Sequence, residues 1–156
     1  MLTYHIPGYK DIEVRHLVLD YNGTLALDGV LIPGVADRLK ELSKSIKIHI
    51  LTADTFGSVG KQTSAIPCKV AVLPEPDQDI GKFNYVTKLN PEFTVAIGNG
   101  RNDQLMLKAA LLGIATIQGE GAAVETLSSA DLVVNDILAA LDLLLNPLRL
   151  IATLRS

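Results

Sequence analysis

No tryptophan occurs in the 156 residues, and all aromatic residues together make up 4% of them. A chain that is still 48% hydrophobic, with mean hydropathy +0.30, must build an aliphatic core, and its composition excludes disorder. Cysteine is almost missing. Cys68 stands alone, so it forms no intrachain disulfide, and no Cys or His lies near it at metal-ligand spacing. Basic runs are missing too: Lys+Arg is 14 against Asp+Glu 17, a formal net charge of −3, which argues against a nucleic-acid surface. No apolar run reaches the length of a membrane span, and Met1–Lys10 lacks the basic and apolar regions of a signal peptide. There is no repeat, low-complexity tract or linker. These absences predict a soluble, cytoplasmic protein with no nucleic-acid or membrane partner. They also predict a single domain over residues 1–156, long enough to bury a proper core.

What is present is a strict alternation. Leu2–Glu13, around Pro7-Gly8, reads as a small hairpin, and Arg15–Asp20 as the first strand of a sheet. Val35, Leu39 and Leu42 recur at helical spacing within Val35–Ser43. Strands follow at Ile46–Leu51, Lys69–Leu73, Phe93–Ile97, Ile114–Ile117 and Leu132–Val134. Between them the pattern predicts helices from Thr52–Thr55 through about Ala65, over Asp79–Leu89, over Asn102–Leu112 with Gly113 at its end, and over Ala122–Ser128. Apolar helices fill 136–155, with Asn146-Pro147 starting the last one. Alternating β and α elements imply a parallel sheet covered by helices on both faces, and right-handed crossovers leave doubly wound topologies. The fold class is α/β. The leucine-rich C-terminal helices carry more apolar surface than one helix face buries, so either the protein self-associates or these helices cover the core and each other.

Four groups fall at the ends of these elements, where an open α/β sheet binds ligands. Asp20 closes the first strand and is followed by Tyr21-Asn22-Gly23-Thr24. Thr52 closes the second. Lys82 sits in the first turn of the helix before the fourth strand, where a cation opposes the helix dipole. Gly98-Asn99-Gly100-Arg101-Asn102-Asp103 follows the fourth strand. Each has a plain alternative: an Asx turn at Asp20, a helix cap at Thr52 or Asp54, an N-cap and first-turn acid at Asn102 and Asp103. His49, alternating with Ile48 and Ile50 on a strand, reads as a structural side chain.

The order Asp-x-x-Gly-Thr, strand-Thr, Lys, Gly-x-Gly-x-Asn-Asp resembles the haloacid dehalogenase superfamily, over about Arg15 to Val134. Gly98–Asp103 and the trailing Ala130–Val134 are most similar to the phosphorylation domain of P-type ATPases, and the match looks closest to small soluble proteins related to it. The resemblance implies a Rossmannoid sheet of order 3-2-1-4-5-6. It makes Asp20 the nucleophile that forms an aspartyl-phosphate. Thr52, Ala53 and Lys82 would bind the phosphoryl group. Asp20, the main-chain carbonyl of Asn22, Asn99 and Asp103 would surround a Mg²⁺ ion, the implied cofactor. Only Ala26–Ile32 follows the first motif, and one helix, one strand and a Pro-rich loop separate Thr52 from Lys82, so no cap domain is expected.

Two positions depart from the pattern. Asn22 stands where phosphatases of the superfamily carry the acid that protonates the leaving oxygen and activates water, help worth ~10²–10⁴ in rate. Asn99 stands where the superfamily usually has Asp, removing one charge from the metal site. Two readings follow. One is a slow Mg²⁺-dependent phosphohydrolase or phosphotransferase acting on a phosphorylated substrate that the sequence does not identify. The other is a weakly or non-catalytic module that binds phosphate or a partner with the old site retained.

Overall fold

The computed structural model describes residues 1–54 and 57–156. Thr55, placed by the sequence reading at the opening of a helix, and Phe56 lie outside them. The N-terminal hairpin pairs β1 (Leu2–His5) with β2 (Asp11–Val14), Leu2 opposite Val14. The chain then enters β3 (His16–Asp20), runs through a two-residue ribbon of β4 (Ala26–Leu27) and β5 (Val30–Leu31), and turns into α1 (Val35–Ser43). There follow β6 (Lys47–Thr52), α2 (Ser58–Gln62), β7 (Cys68–Val72), α3 (Gln78–Lys88), β8 (Thr94–Gly98), α4 (Gln104–Ala109), β9 (Leu112–Thr116), α5 (Val124–Ser129), β10 (Leu132–Val134), α6 (Ile137–Leu145) and α7 (Pro147–Leu154).

Six of the strands form one parallel sheet in the order β7-β6-β3-β8-β9-β10. Numbered by appearance within that sheet, this is 3-2-1-4-5-6, as expected. β3 lies in the middle because it is buried on both faces: Leu17 and Leu19 point one way and Val18 the other, all without exposure, the pattern of a strand covered twice. Leu17 and Leu19 join Ile48, Ile50, Val95 and Ile97 in the larger core, beneath α1 and α6; Val18 joins Val86, Met106 and Leu107 beneath α3 and α4. The chain leaves β3 toward β6 and β7 and returns on the other side as β8. The loops after Asp20 and after Gly98 therefore face each other at the switch point, where such sheets bind ligands.

The C-terminal helices are consumed largely inside the molecule. Ile137, Ala140, Leu141, Leu144 and Leu150 are buried, and Leu148 stands 81% exposed. Asp136 caps α6 by accepting from the Ala139 amide at 2.8 Å. Arg38 of α1 clamps Asp142 of α6 with two bonds of 2.7 and 3.1 Å. The Tyr4 hydroxyl donates to the Leu144 carbonyl at 2.7 Å, seating the hairpin on α6. No single helix among the described residues is long and apolar enough to cross a membrane; α6 and α7 pass that test only as a pair bent by 103°.

Two local expectations are corrected. The helix expected over Asn102–Leu112 is a 3-10 turn at Arg101–Asp103 followed by α4 alone, and Gly113 lies inside β9. A Cβ at Gly113 would fall 2.4 Å from the Leu107 carbonyl oxygen. Gly113 thus admits the end of α4 onto the strand, a packing need that reads in sequence as a helix stop. Similarly, α2 is a five-residue helix rather than one reaching Ala65. Within the central strands β3 and β6, His49 bonds His16 at 3.1 Å and the Tyr85 hydroxyl at 3.0 Å. It is the satisfied structural side chain its strand position predicts. Burial lowers its pKa to about 4, with His16, Lys69 and Lys47 adding to the effect.

Candidate active site

The site grows from the carboxyl ends of β3, β6 and β8. Leaving β3, the chain reverses over Tyr21–Ala26, held by bonds from the Leu25 and Ala26 amides to the Tyr21 carbonyl. Gly23 adopts φ +82°, a left-handed conformation that favours glycine. Asp20 emerges from this turn 7% exposed. Its Oδ2 accepts from the Thr24 hydroxyl at 3.0 Å and its Oδ1 from the Lys82 ammonium at 2.7 Å.

Lys82 lies in the second turn of α3 rather than the first, because the helix starts at Gln78, and its side chain is driven inward to 1% exposure. Its ammonium donates to Asp20, to Asp103 Oδ1 at 2.6 Å and to Asn102 Oδ1 at 3.0 Å. Three donors meet three acceptors, which resolves the oddity of a cation near the start of a helix. Burial works to lower the Lys82 pKa, but the adjoining Asp103 and Asp20 carboxylates outweigh it and hold the group charged. Asp20 goes the other way: burial, then the nearby Asp103 carboxylate, push it up to about 7 against the pull of Lys82.

The loop after β8 wraps around Asp103. Its Oδ2 accepts from the Asn99 amide at 3.0 Å and the Gly100 amide at 2.9 Å, and the side chain has no exposure. A Cβ on Gly98 would sit 2.6 Å from Asp103 Cβ, so the glycine makes room for the acid. Thr126 of α5 ties the loop down by donating to the Gly100 carbonyl at 2.6 Å. Asn99 is turned with Oδ1 toward Thr24, 3.2 Å from its hydroxyl, and Nδ2 donating to the Gly121 carbonyl at 3.0 Å.

A cavity of about 180 Å³ opens among these groups, lined by Asp20, Asn22, Thr52, Ala53, Lys82 and Asn99 together with Gln78, Gly100, Asn102 and Glu120. Every expected residue lines this cavity except Asp103, which joins the site from behind the lining, with both oxygens committed to Lys82 and to the Asn99 and Gly100 amides. The Thr52 hydroxyl accepts from the Asp54 amide at 3.0 Å, which leaves its own proton available. Asn22 is exposed. Three contributors went unassigned in the sequence: Thr24 and, from the loop after β9, Gln118 and Glu120. Gln118 donates to the Gly23 and Thr24 carbonyls at 3.0 and 2.6 Å and accepts from the Ile137 amide at 2.9 Å, joining the turn after Asp20 to the start of α6. Their one sequence signal is position, just past a strand end on the cleft side of the sheet.

On the Oδ2 side of Asp20 the neighbouring groups, the Thr24 hydroxyl and Asn99 Oδ1, are oxygens, the donors that a hard cation takes. Asp20 Oδ2 and Asn99 Oδ1 both face the single proton of the Thr24 hydroxyl. One proton satisfies one of them; a cation between them would satisfy the other.

The fold is shared with solved phosphatases and with a structure described as a putative HAD superfamily hydrolase. The 3-deoxy-D-manno-octulosonate 8-phosphate phosphatase of Moraxella catarrhalis, solved with magnesium, phosphate and its sugar acid, superimposes with a TM-score of 0.72 at 15% identity over 91% of this chain and 94% of that one. The cobalt-bound deoxy-D-mannose-octulosonate 8-phosphate phosphatase of Haemophilus influenzae gives 0.71 at 13% identity, over 92% and 94%. No family model matches the chain. It belongs to one family with an uncharacterized protein of Methanocaldococcus jannaschii, 61% identical over 82 residues that are 50% of this chain and 88% of that protein. The zinc-transporting ATPase of Bacillus subtilis is 35% identical over 110 residues, 67% of this chain. The chain spans only 16% of that transporter's length.

Proposed function

We propose that this protein is a Mg²⁺-dependent phosphohydrolase or phosphotransferase working through an aspartyl-phosphate on Asp20. The observation that carries this reading is the Asp20 carboxylate itself, held from both sides by Lys82 and Thr24 and still lining the cavity. A carboxylate fixed at a strand end can attack phosphorus. The Asp20–phosphorus bond forms as the ester P–O bond breaks, and the leaving alkoxide takes its proton from water. Water then attacks the phosphorus, the phosphoryl bond to Asp20 breaks, and inorganic phosphate departs. Thr52 and the backbone at Ala53 orient the phosphoryl oxygens, and Lys82 neutralises charge that builds on them. Lys82 is already in place before the reaction, so little reorganisation opposes it.

Asp20, the Asn22 carbonyl and Asn99 are the groups that would hold Mg²⁺, which supplies further neutralisation of the phosphoryl oxygens when bound. Asp103, expected from the resemblance to be a ligand, serves instead to charge and aim Lys82 and to shape the Gly98–Asp103 loop. The cavity equals the liquid volume of roughly six waters, room for a phosphoryl group with its hydration. It adjoins an open groove lined by Glu75, Gln78, Arg101, Asn102 and Gln104, where the rest of a phosphorylated substrate would lie uncovered. Turnover is slow because Asn22 carries no titratable proton. That same residue favours the second reading, a phosphate- or partner-binding module. Hydrolysis of p-nitrophenyl phosphate with Mg²⁺, measured beside Asp20→Asn, tests the choice. Activity lost in the variant supports the phosphohydrolase; equal rates in both proteins refute it.

A further inference from the structure

Glu120 is the one lining residue whose charge nothing in the fold uses. Among the described residues it has neither a hydrogen bond nor an ion pair, yet its carboxylate lies over the turn after Asp20. A Cβ built on Gly23 would meet Glu120 Oε2 at 2.5 Å and the Asn99 side chain at 2.6 Å for Nδ2 and 2.9 Å for Oδ1. Glu120 and Asn99 thus flank the same point, beside the Gly23 turn.

The backbone around Glu120 is fastened to the site at both ends. Gln118, two residues before, grips the Gly23 and Thr24 carbonyls. Gly121, one residue after, accepts from the Asn99 side-chain amide, and the Ala123 amide donates to the Asn99 carbonyl at 2.9 Å. The Asn99–Gly121 bond needs an amide at position 99, because a carboxylate has no proton to donate. The neutral side chain that withholds a charge from the cation is therefore the one that anchors the loop carrying another acid.

Charge counting points the same way. Asp20 and Asp103 bring two negative charges and Lys82 cancels one, with Asp103 turned away from the cavity. A divalent cation beside Asp20 would meet little attraction from these three groups. We propose that Glu120 supplies the cation end of this site with the charge that Asn99 lacks, acting on the cation across the Gly23 turn in place of a carboxylate at position 99. The inference rests on the Mg²⁺ site of the proposed function and deepens it.

Titration of Mg²⁺ alone into the protein, followed by calorimetry without substrate, tests this. Glu120→Gln is expected to weaken Mg²⁺ roughly tenfold, the scale of one unit charge acting on a divalent ion through partly solvated surroundings. Glu92→Gln, which removes an acid in the turn preceding β8 at the other end of that strand, is expected to leave the affinity unchanged. Adding Asn99→Asp to Glu120→Gln is expected to recover most of the loss. Equal Mg²⁺ affinity in the wild type and Glu120→Gln overturns the role of Glu120 and leaves the Asp20 phosphohydrolase intact. A wild type that binds no Mg²⁺ overturns it together with the cation site, whatever the phosphatase assay gives. An equal loss in Glu92→Gln reduces the effect to net charge and overturns it as well.

Discussion

Asn22→Asp asks directly what limits the chemistry. The side chain is exposed and lines the cavity beside Asp20, and the exchange keeps its volume nearly constant. Folding stability should therefore move by no more than about 0.5 kcal/mol, the usual range for a surface change. A restored general acid and base is worth ~10²–10⁴ in rate, or about 2.7–5.4 kcal/mol of barrier. Against this stands repulsion from the Asp20 carboxylate: two unit charges about 6 Å apart repel by roughly 3 kcal/mol at an effective dielectric of about 20. The Lys82 ammonium 2.7 Å from Asp20 offsets part of it, so the net gain should lie near the lower end, about 10²-fold. The assay compares p-nitrophenyl phosphate, whose phenolate leaves without help, with an alkyl phosphate whose alkoxide needs a proton. The gain should be larger on the alkyl ester, and the wild type should show a burst on the aryl ester as the aspartyl-phosphate accumulates. A variant that unfolds at the wild-type midpoint, binds Mg²⁺ and is no faster on either ester would refute the reasoning and favour the binding module.

Lys82→Met leaves Asp20 and Asp103 buried without their counter-charge and should cost about 3–5 kcal/mol by urea unfolding at pH 7; a loss under 1 kcal/mol would show that the pair is hydrated in solution. Gly113→Ala should cost more than about 2 kcal/mol, because its Cβ would meet the Leu107 carbonyl oxygen at 2.4 Å and overpacking of this kind displaces backbone; an unchanged midpoint would mean that α4 shifts freely. His49, held neutral with its pKa near 4, binds its proton more readily in the unfolded chain, whose imidazole titrates at ~6.5. Its contribution is thus fully present above about pH 6.5 and is lost as pH falls toward 4. The full shift would be worth roughly 3 kcal/mol, and partial solvent access lowers it to about 2. His49→Leu should flatten stability over that window relative to wild type, and parallel curves would argue against it.

Much of this architecture is legible in the amino-acid sequence. The β-α alternation implied the parallel sheet, and the place of Asp20, Thr52 and Lys82 at element ends marked three walls of the cavity, because strand ends in a parallel sheet lie on one side by topology alone; the strand order came only with the family resemblance. Other features depend on approach distances that no pattern displays. Asp103 and Asn99 share one loop, and only the room left by Gly98 decides that Asp103 turns inward to Lys82 while Asn99 faces the cavity. Gly113 has the look of a helix stop because sequence does not record that α4 lies against it. Gln118 and Glu120 were missed because the Gly23 turn that both lie against is 95 and 97 residues away along the chain, and no spacing links them.

The Asp20–Lys82–Asp103 cluster also bears on how this scaffold could be engineered. Buried ion clusters replaced as a whole by apolar side chains of similar volume often leave a protein as stable as before, or more so by about 1–4 kcal/mol. Selection for thermal endurance alone would therefore be free to erase all three residues together, and a library screened only for survival on heating should drift toward an inert, hardier cluster of leucines at the switch point. Any campaign to harden this chain must hold those positions fixed and seek its gains on the far side of the sheet.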